Sequence, residues 1–292
     1  MTHTVAEPDA LRPRDLHCLL RTKHRRIGRR STLRSLRRCA ILAALVSQAQ
    51  AGRGRGWVKA TVGFVVAGAL IAAVLLLLSK PERPVSPLTL HTLGTGGTGS
   101  PVLILLHGYR ARGTDLVALG EEVLRRKPNL NLRIIAAQGI LSKGDGRYAW
   151  YDGVQQQPEA RARVSALIDE LIDAGTPPER IAVGGFSQGA ALAVDVGLKH
   201  RPRIFGVAVL SGGYIRGVDW TAELDGLTGM RFLVTHGRQD QVLPFEPAME
   251  IADRLSAAGA RVQWVPFDGG HDIPPHVRGE LASFCAGMAT SP

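Results

Sequence analysis

The chain has 292 residues, of which 45% are hydrophobic and 21% charged, a composition that is ordinary for a globular protein. Its formal net charge is +11, but residues 1–60 hold 14 Lys and Arg against 3 Asp and Glu, whereas residues 80–292 hold 22 of each sign. A nucleic-acid-binding domain would carry its basic residues on the folded part, so we expect no nucleic-acid partner. A basic arm that touches RNA or DNA remains the alternative to a tail that lies against anionic lipid headgroups.

Residues 61–79 form an apolar run without a charge. At ~1.5 Å per residue a helix of this length is about long enough to cross the ~30 Å hydrocarbon core of a bilayer. The alternative is a buried core helix, but helices of soluble proteins usually show a polar face and this run has none. The sequence therefore predicts a single-pass transmembrane signal-anchor helix, with the basic tail of residues 1–60 in the cytoplasm and the C-terminal domain outside it.

A competing feature lies upstream of this run. Arg37 and Arg38 precede the apolar residues 39–46, and Ala49-Gln50-Ala51 is typical of the small-residue cleavage site of a secretory signal. Both interpretations export the C-terminal domain. The three cysteines, Cys18, Cys39 and Cys285, indicate no disulfide framework, and Cys285 is expected to be a small buried side chain in the last helix.

Residues 80–100 are rich in Pro, Gly and Thr and predict a flexible linker to a domain over residues 101–292. Within that domain, continuous apolar runs alternate with helical patterns, which predicts a doubly wound, mostly parallel α/β sheet with both faces covered. The predicted strands are Val102–Leu106, Leu132–Ala137, Ile181–Gly185, Phe205–Leu210, Arg231–Thr235 and Val262–Phe267. The predicted helices are Asp115–Arg126, Glu159–Ala174, Gln188–His200, Pro247–Ala258 and Pro275–Met288.

The motif Gly-x-Ser-x-Gly occurs between a predicted strand and a predicted helix, as Gly185-Phe186-Ser187-Gln188-Gly189. A nucleophile on a tight strand-to-helix turn needs small residues at both ends, because larger side chains there would clash. The motif alone is a weak signal in a chain with 34 glycines. Its position after a strand makes Ser187 the candidate nucleophile.

A serine nucleophile needs an imidazole as general base and a carboxylate that orients the imidazole. Asp240 and His271 each follow a later predicted strand, in the chain order Ser, acid, His that this type of sheet uses. Asp240 could instead cap a turn, and His271 could be a surface histidine. We predict a triad of Ser187, Asp240 and His271.

The oxyanion hole of such a site needs two backbone N–H donors, one after the nucleophile and one in the loop after an earlier strand. The corresponding amides are those of Gln188 and Tyr109. His107, two residues before Tyr109, is expected to shape this loop through side-chain hydrogen bonds rather than to act in catalysis.

Four sequence blocks together resemble the phospholipase/carboxylesterase family of α/β hydrolases, which includes acyl-protein thioesterases. The resemblance runs from about Val102 to the last helix. The blocks are Leu106–Tyr109 with Gly113–Leu116, Tyr148–Asp152, Gly185–Ala190, and Asp240–Pro244 with Gly269–Pro274.

The resemblance implies an α/β-hydrolase fold and the catalytic roles predicted above for Ser187, Asp240 and His271. It also implies that Trp150 lines the substrate pocket, although a bare tryptophan could equally belong to the core. One departure is Arg110, which stands where the family usually has a glycine, so the oxyanion hole or the charge near the leaving group could differ.

We therefore expect a serine hydrolase that cleaves carboxylic esters or thioesters of small-molecule or lipid substrates through an acyl-enzyme. The sequence shows neither clustered metal ligands nor a phosphate-binding glycine loop, so it suggests no metal and no cofactor. The alternatives are a catalytically inactive, membrane-anchored scaffold with the same fold, and a peptidase or lactone hydrolase that uses the same triad.

Overall fold

The computed structural model describes residues 87–213 and 220–289. None of the helices in these two ranges is long and apolar enough to cross a membrane. The predicted basic tail, the signal-like segment and the predicted span over residues 61–79 lie outside the described residues.

A seven-stranded sheet forms the centre of the described domain. The strands are arranged in the order β1-β3-β2-β6-β7-β8-β9, and every neighbouring pair is parallel except β1 with β3. This confirms the predicted mostly parallel sheet. The seven strands are β1 (Leu90–Leu93), β2 (Val102–Leu106), β3 (Arg133–Ala137), β6 (Ile181–Phe186), β7 (Gly206–Leu210), β8 (Arg231–Gly237) and β9 (Arg261–Phe267).

Helices cover both faces of this sheet. Alternate residues of each buried strand point to opposite faces, so that Leu103 joins one apolar cluster while Ile104 joins the other. α1 and α5 pack on the first of these faces, and α2, α3 and α4 pack on the second. The helices are α1 (Val117–Arg126), α2 (Gln157–Asp173), α3 (Gln188–Lys199), α4 (Phe245–Ala257) and α5 (Pro275–Ala289).

The boundary of the folded domain lies earlier than the sequence predicts. Residues 90–93 belong to the predicted linker, yet they form β1, which pairs antiparallel with β3 along its whole length. The strand has only four residues and alternates between exposed and half-buried side chains, so its apolar signal is weak. A short hairpin, β4 (Leu141–Ser142) with β5 (Tyr148–Ala149), was likewise not predicted, because each of its strands has two residues.

Six parallel strands of the large sheet end at one edge, which we call the carboxyl edge. Ligand sites of open parallel sheets form at this edge, because the loops that leave the strands meet there. Ser187 directly follows β6, and Asp240 and His271 lie three and four residues beyond the ends of β8 and β9. The fold therefore brings the predicted site residues to one side of the domain.

Candidate active site

A cavity of about 510 Å³ opens at the carboxyl edge of the sheet. Ser187, His271 and Tyr109 all line it, so the structure gathers the predicted nucleophile, the predicted base and one of the predicted oxyanion residues. The rest of its wall comes from the loop after β2, from α1 and α5, from the segment after β9, and from Phe186 and Val242. A cavity of this size falls within the range of small-molecule sites.

Ser187 occupies a strained backbone turn between β6 and α3. Its φ of 55° and ψ of −118° lie outside the regions that L-residues ordinarily adopt. The turn is tight because α3 begins at the next residue, and a side chain at Gly189 would collide with the backbone of Leu106 at the end of β2. This close approach is the physical reason for the glycines that flank Ser187 in the motif.

Asp240 and His271 are joined by a hydrogen bond. The distance from His271 Nδ1 to Asp240 Oδ2 is 2.7 Å, and the Asp240 side chain is fully buried. Asp240 Oδ1 accepts the backbone N–H groups of Val242 and Leu243 at 2.8 and 2.9 Å. The backbone therefore holds the carboxylate through Oδ1, and Oδ2 faces the imidazole of His271.

The contacts of Asp240 favour its charged form. Burial by itself raises the pKa of this carboxyl, but the hydrogen bonds from the Leu243 backbone, the His271 ring and the Val242 backbone outweigh it. The net result is a pKa below the ordinary value of aspartic acid. Asp240 is thus ionised at neutral pH, as a group that orients an imidazole must be.

A second histidine contacts the same carboxylate. His236 Nε2 lies 3.2 Å from Asp240 Oδ2 and 3.0 Å from the carbonyl oxygen of Leu243, and its side chain is buried. An N–H on Nε2 donates to both Asp240 Oδ2 and the Leu243 carbonyl oxygen. It thereby links the carboxylate to the turn that follows it. Sequence reasoning gave His236 no role, although its position four residues before Asp240 was a signal that the two could meet across a turn.

The loop after β2 is shaped by His107, the role that the sequence predicts for this residue. The ring donates from Nδ1 to the carbonyl of Gly108 at 2.8 Å and accepts at Nε2 the backbone N–H of Gly139 at 2.8 Å. Burial lowers the pKa of His107 more than the Gly108 hydrogen bond raises it, so the neutral ring is favoured. The loop approaches the nucleophile closely: a Cβ placed on Gly108 would lie 3.4 Å from the Cβ of Ser187.

Trp150 does not line the cavity, contrary to what the resemblance implies. Its side chain is completely buried in the core, and its ring nitrogen donates to the carbonyl of His107 at 2.8 Å. Its backbone N–H donates to the side chain of Gln188 at 3.0 Å, and the Gln188 amide donates in turn to the carbonyl of Tyr151 at 2.7 Å. Trp150 therefore braces the two segments that carry the predicted oxyanion amides.

Arg110 adopts the left-handed conformation, with a φ of 56°. This is the backbone that a glycine would adopt without strain, which explains why a glycine is usual at this position. The conformation costs an arginine about 1–2 kcal/mol. The side chain of Arg147 stabilises it by donating to the carbonyl of Arg110 at 3.1 Å, and the Arg110 side chain is exposed.

Comparison with known proteins identifies the same family that the four sequence blocks resemble. The family model described as Phospholipase/Carboxylesterase matches residues 95–287, which is more than half of the chain. Acyl-protein thioesterase 1 of Gibberella zeae is 32% identical over 122 residues, which are 40% of this chain and 52% of that protein. Acyl-protein thioesterase 1 of Yarrowia lipolytica is 30% identical over 162 residues, which are 49% of this chain and 71% of that protein. The chain thus spans between about half and seven tenths of these relatives.

Among solved structures, a carboxylesterase of Mesorhizobium loti superposes with a TM-score of 0.60 at 23% identity. The superposition covers 71% of this chain and 98% of that one. At this identity the likeness shows the fold alone, which is the α/β-hydrolase fold that the sequence predicts.

Proposed function

The chain belongs to the phospholipase/carboxylesterase family of α/β hydrolases, and we propose that it hydrolyses carboxylic esters or thioesters with Ser187 as nucleophile. One observation carries the proposal. The buried Asp240 carboxylate holds Nδ1 of His271 at 2.7 Å, and His271 lines the same cavity as Ser187, whose backbone is strained. Asp240 caps the turn that follows it through Oδ1, but a turn cap alone would not need the additional contact of Oδ2 with His271.

The proposed reaction begins when Ser187 Oγ attacks the carbonyl carbon and Nε2 of His271 accepts the hydroxyl proton. Asp240 keeps the other ring proton on Nδ1 and stabilises the imidazolium that forms. The backbone N–H groups of Tyr109 and Gln188 bind the tetrahedral oxyanion, and Gln188 is well suited to this because it opens α3, where backbone N–H groups are free.

His271 then donates its proton to the leaving alcohol or thiol, and an acyl-enzyme remains on Ser187. A water molecule, deprotonated by His271, hydrolyses this ester and restores the serine. The names of the relatives, acyl-protein thioesterase and carboxylesterase, support an ester or thioester as substrate. The mixed apolar and polar wall of the cavity suits a small-molecule or lipid ester.

The proposal also includes the location of the enzyme. The uncharged run over residues 61–79 anchors the chain in a membrane as a single pass, with the basic tail in the cytoplasm and the catalytic domain outside it.

The function is tested by hydrolysis of p-nitrophenyl esters of increasing chain length by the full chain and by its Ser187→Ala variant. We expect the substitution to lower kcat/KM by about 10⁴-fold or more, because the acyl-enzyme can then no longer form on Ser187. It should also abolish labelling by a fluorophosphonate probe. Ser256→Ala, at an exposed position of α4, is the matched control and should retain activity. A Ser187→Ala variant that still turns over and still labels would contradict the proposal.

A further inference from the structure

The end of β7 carries no member of the proposed triad, yet it contacts the segments that carry two of them. The carbonyl of Leu210, the last residue of β7, accepts the backbone N–H of Ser187 at 3.1 Å. The hydroxyl of Ser211, the next residue, donates to the carbonyl of Asp272 at 2.7 Å. Asp272 directly follows His271 in the loop after β9. Two adjacent residues therefore connect the turn of the proposed nucleophile with the loop of the proposed base.

Ser211 is enclosed by the segments that it connects. The residue is fully buried, and its backbone N–H donates to the carbonyl of Thr235 in β8 at 2.9 Å. A side chain at the next residue, Gly212, would come within 2.7 Å of the carbonyl oxygen of Ser187. The chain at Ser211 thus lies directly against the nucleophile turn, while its hydroxyl reaches the loop after β9.

The backbone of Ser211 is in the left-handed region, with a φ of 44°. A glycine would adopt this conformation without strain. Strained residues persist where the surrounding structure imposes the conformation, and they are frequent at functional sites. The hydroxyl is the feature that a serine adds at a position where the backbone alone favours glycine.

The loop of His271 is attached to other segments on both sides of the histidine. Before it, the carbonyl of Gly269 accepts the backbone N–H of Gln239, just beyond β8, at 3.0 Å. After it, the carbonyl of Asp272 accepts the Ser211 hydroxyl. A general base has to be held at a defined distance from the nucleophile, because small displacements of reacting groups cost much of the rate.

From these contacts we infer that Ser211 is a positioning residue for the proposed reaction. Its hydroxyl holds the carbonyl of Asp272 and thereby sets the place of His271 relative to Ser187. The inference deepens the proposed function and rests on it for the roles of Ser187 and His271. Ser211 is not among the residues that line the cavity, so it acts through its neighbours rather than on the substrate.

The inference is tested on the full chain with Ser211→Ala and Ser211→Gly, which both remove the hydroxyl. We expect each variant to lower kcat on a water-soluble p-nitrophenyl ester about tenfold and to leave KM within about twofold, because the base is displaced while the cavity wall is intact. Wild-type kcat in both variants would overturn the inference.

The two variants also separate positioning from stability. Glycine adopts the φ of Ser211 freely and alanine does not, so Ser211→Gly should unfold at a higher denaturant concentration than Ser211→Ala. We expect kcat to fall equally in both variants despite this difference. A kcat that instead followed the unfolding midpoint would show that Ser211 only stabilises the fold.

Thr235→Val is the matched control. Thr235 is also fully buried, and its hydroxyl donates to the carbonyl of Val209 in β7 at 3.5 Å, rather than to the loop of His271. This variant should keep the wild-type kcat. A loss as large as that of the Ser211 variants would contradict a special role of the Ser211 hydroxyl.

Hydrogen exchange of the full chain, measured by mass spectrometry, separates this inference from the proposed activity. The backbone N–H groups of residues 268–273 should exchange about tenfold faster in both Ser211 variants than in the wild type or in Thr235→Val, because their loop loses an attachment. Unchanged exchange would overturn the inference whatever the ester assay gives. Faster exchange in the Ser211 variants of a chain whose wild type hydrolyses no ester would contradict the proposed function alone.

Discussion

At the scale of single residues, the Asp240 carboxylate is the most constrained group of the candidate site. One of its oxygens accepts two backbone N–H groups, and the other faces the rings of His271 and His236. Its orientation is therefore determined before any substrate binds. A group held in this way can select one tautomer of His271, the one with the proton on Nδ1.

We predict that Asp240→Asn lowers kcat on a soluble ester by about 10⁴-fold while the domain stays folded. The asparagine oxygen can still accept the N–H groups of Val242 and Leu243, but its amide would donate to His271 Nδ1 and force the ring proton onto the nitrogen that must act as base. The control is Asp268→Asn. The Asp268 side chain is near His271 in sequence, is 88% exposed, and lies 3.5 Å from Arg238 Nε. Equal losses in the two variants would show that Asp240 has no special role.

At the scale of elements, the backbone conformation of Ser187, the proposed nucleophile, depends on how closely α3 crosses the sheet. The first turn of α3 lies against the backbone at the end of β2, and Gly185 and Gly189 face one another across the turn with no room for a side chain. The strain at Ser187 is thus imposed by its neighbours and is maintained by the packing of the whole helix, most of which is buried.

Gly189→Ala should therefore reduce the free energy of unfolding by about 1–3 kcal/mol, since the new methyl group meets the backbone of Leu106 and His107, which cannot rotate away. It should also lower kcat, because α3 must shift away from β2 and carry Ser187 with it. Chemical denaturation with a parallel ester assay measures both effects. Gly97→Ala is the control, because no atom lies within 4 Å of the added methyl group. Equal free energies of unfolding in the two variants would contradict the predicted clash between residue 189 and the backbone of β2.

At the scale of the whole molecule, the chain reaches the domain on the side of the catalytic cavity, because β1 is antiparallel to its neighbour. In the proposed topology, the charge of the basic tail sets the side of the membrane on which that domain lies.

The proposed topology predicts different reactivity of two thiols in intact cells that express the full chain. Asn129→Cys, exposed on the catalytic domain, should react with a membrane-impermeant maleimide from outside, whereas the native Cys18 should react only after permeabilisation. Cys285 does not interfere, because burial raises its pKa to about 12 and removes it from solvent. Labelling of Cys18 from outside in intact cells would contradict the proposed orientation.

The sequence alone determined the order and type of most elements in the described domain. Apolar runs such as Val102–Leu106 are buried on both faces, and such runs are recognisable without knowledge of their neighbours. The same holds for the turn at Ser187, since a strand, a Gly-x-Ser-x-Gly motif and a helix follow each other directly in the chain. The contact between Asp240 and His271 was predictable because loops after parallel strands meet at one edge.

The remaining features of the domain and of the candidate site were determined only by the tertiary structure. β1 is too short to be recognised from its own residues, and its pairing with β3 is what moves the domain boundary and brings the chain to the cavity side. The burial of Trp150 and the contact of His236 with Asp240 likewise depend on neighbours outside their own segments of chain. The apolar pattern of the sequence indicates which residues are buried. The hydrogen-bond partners of the polar groups are determined only when distant segments of the chain pack together.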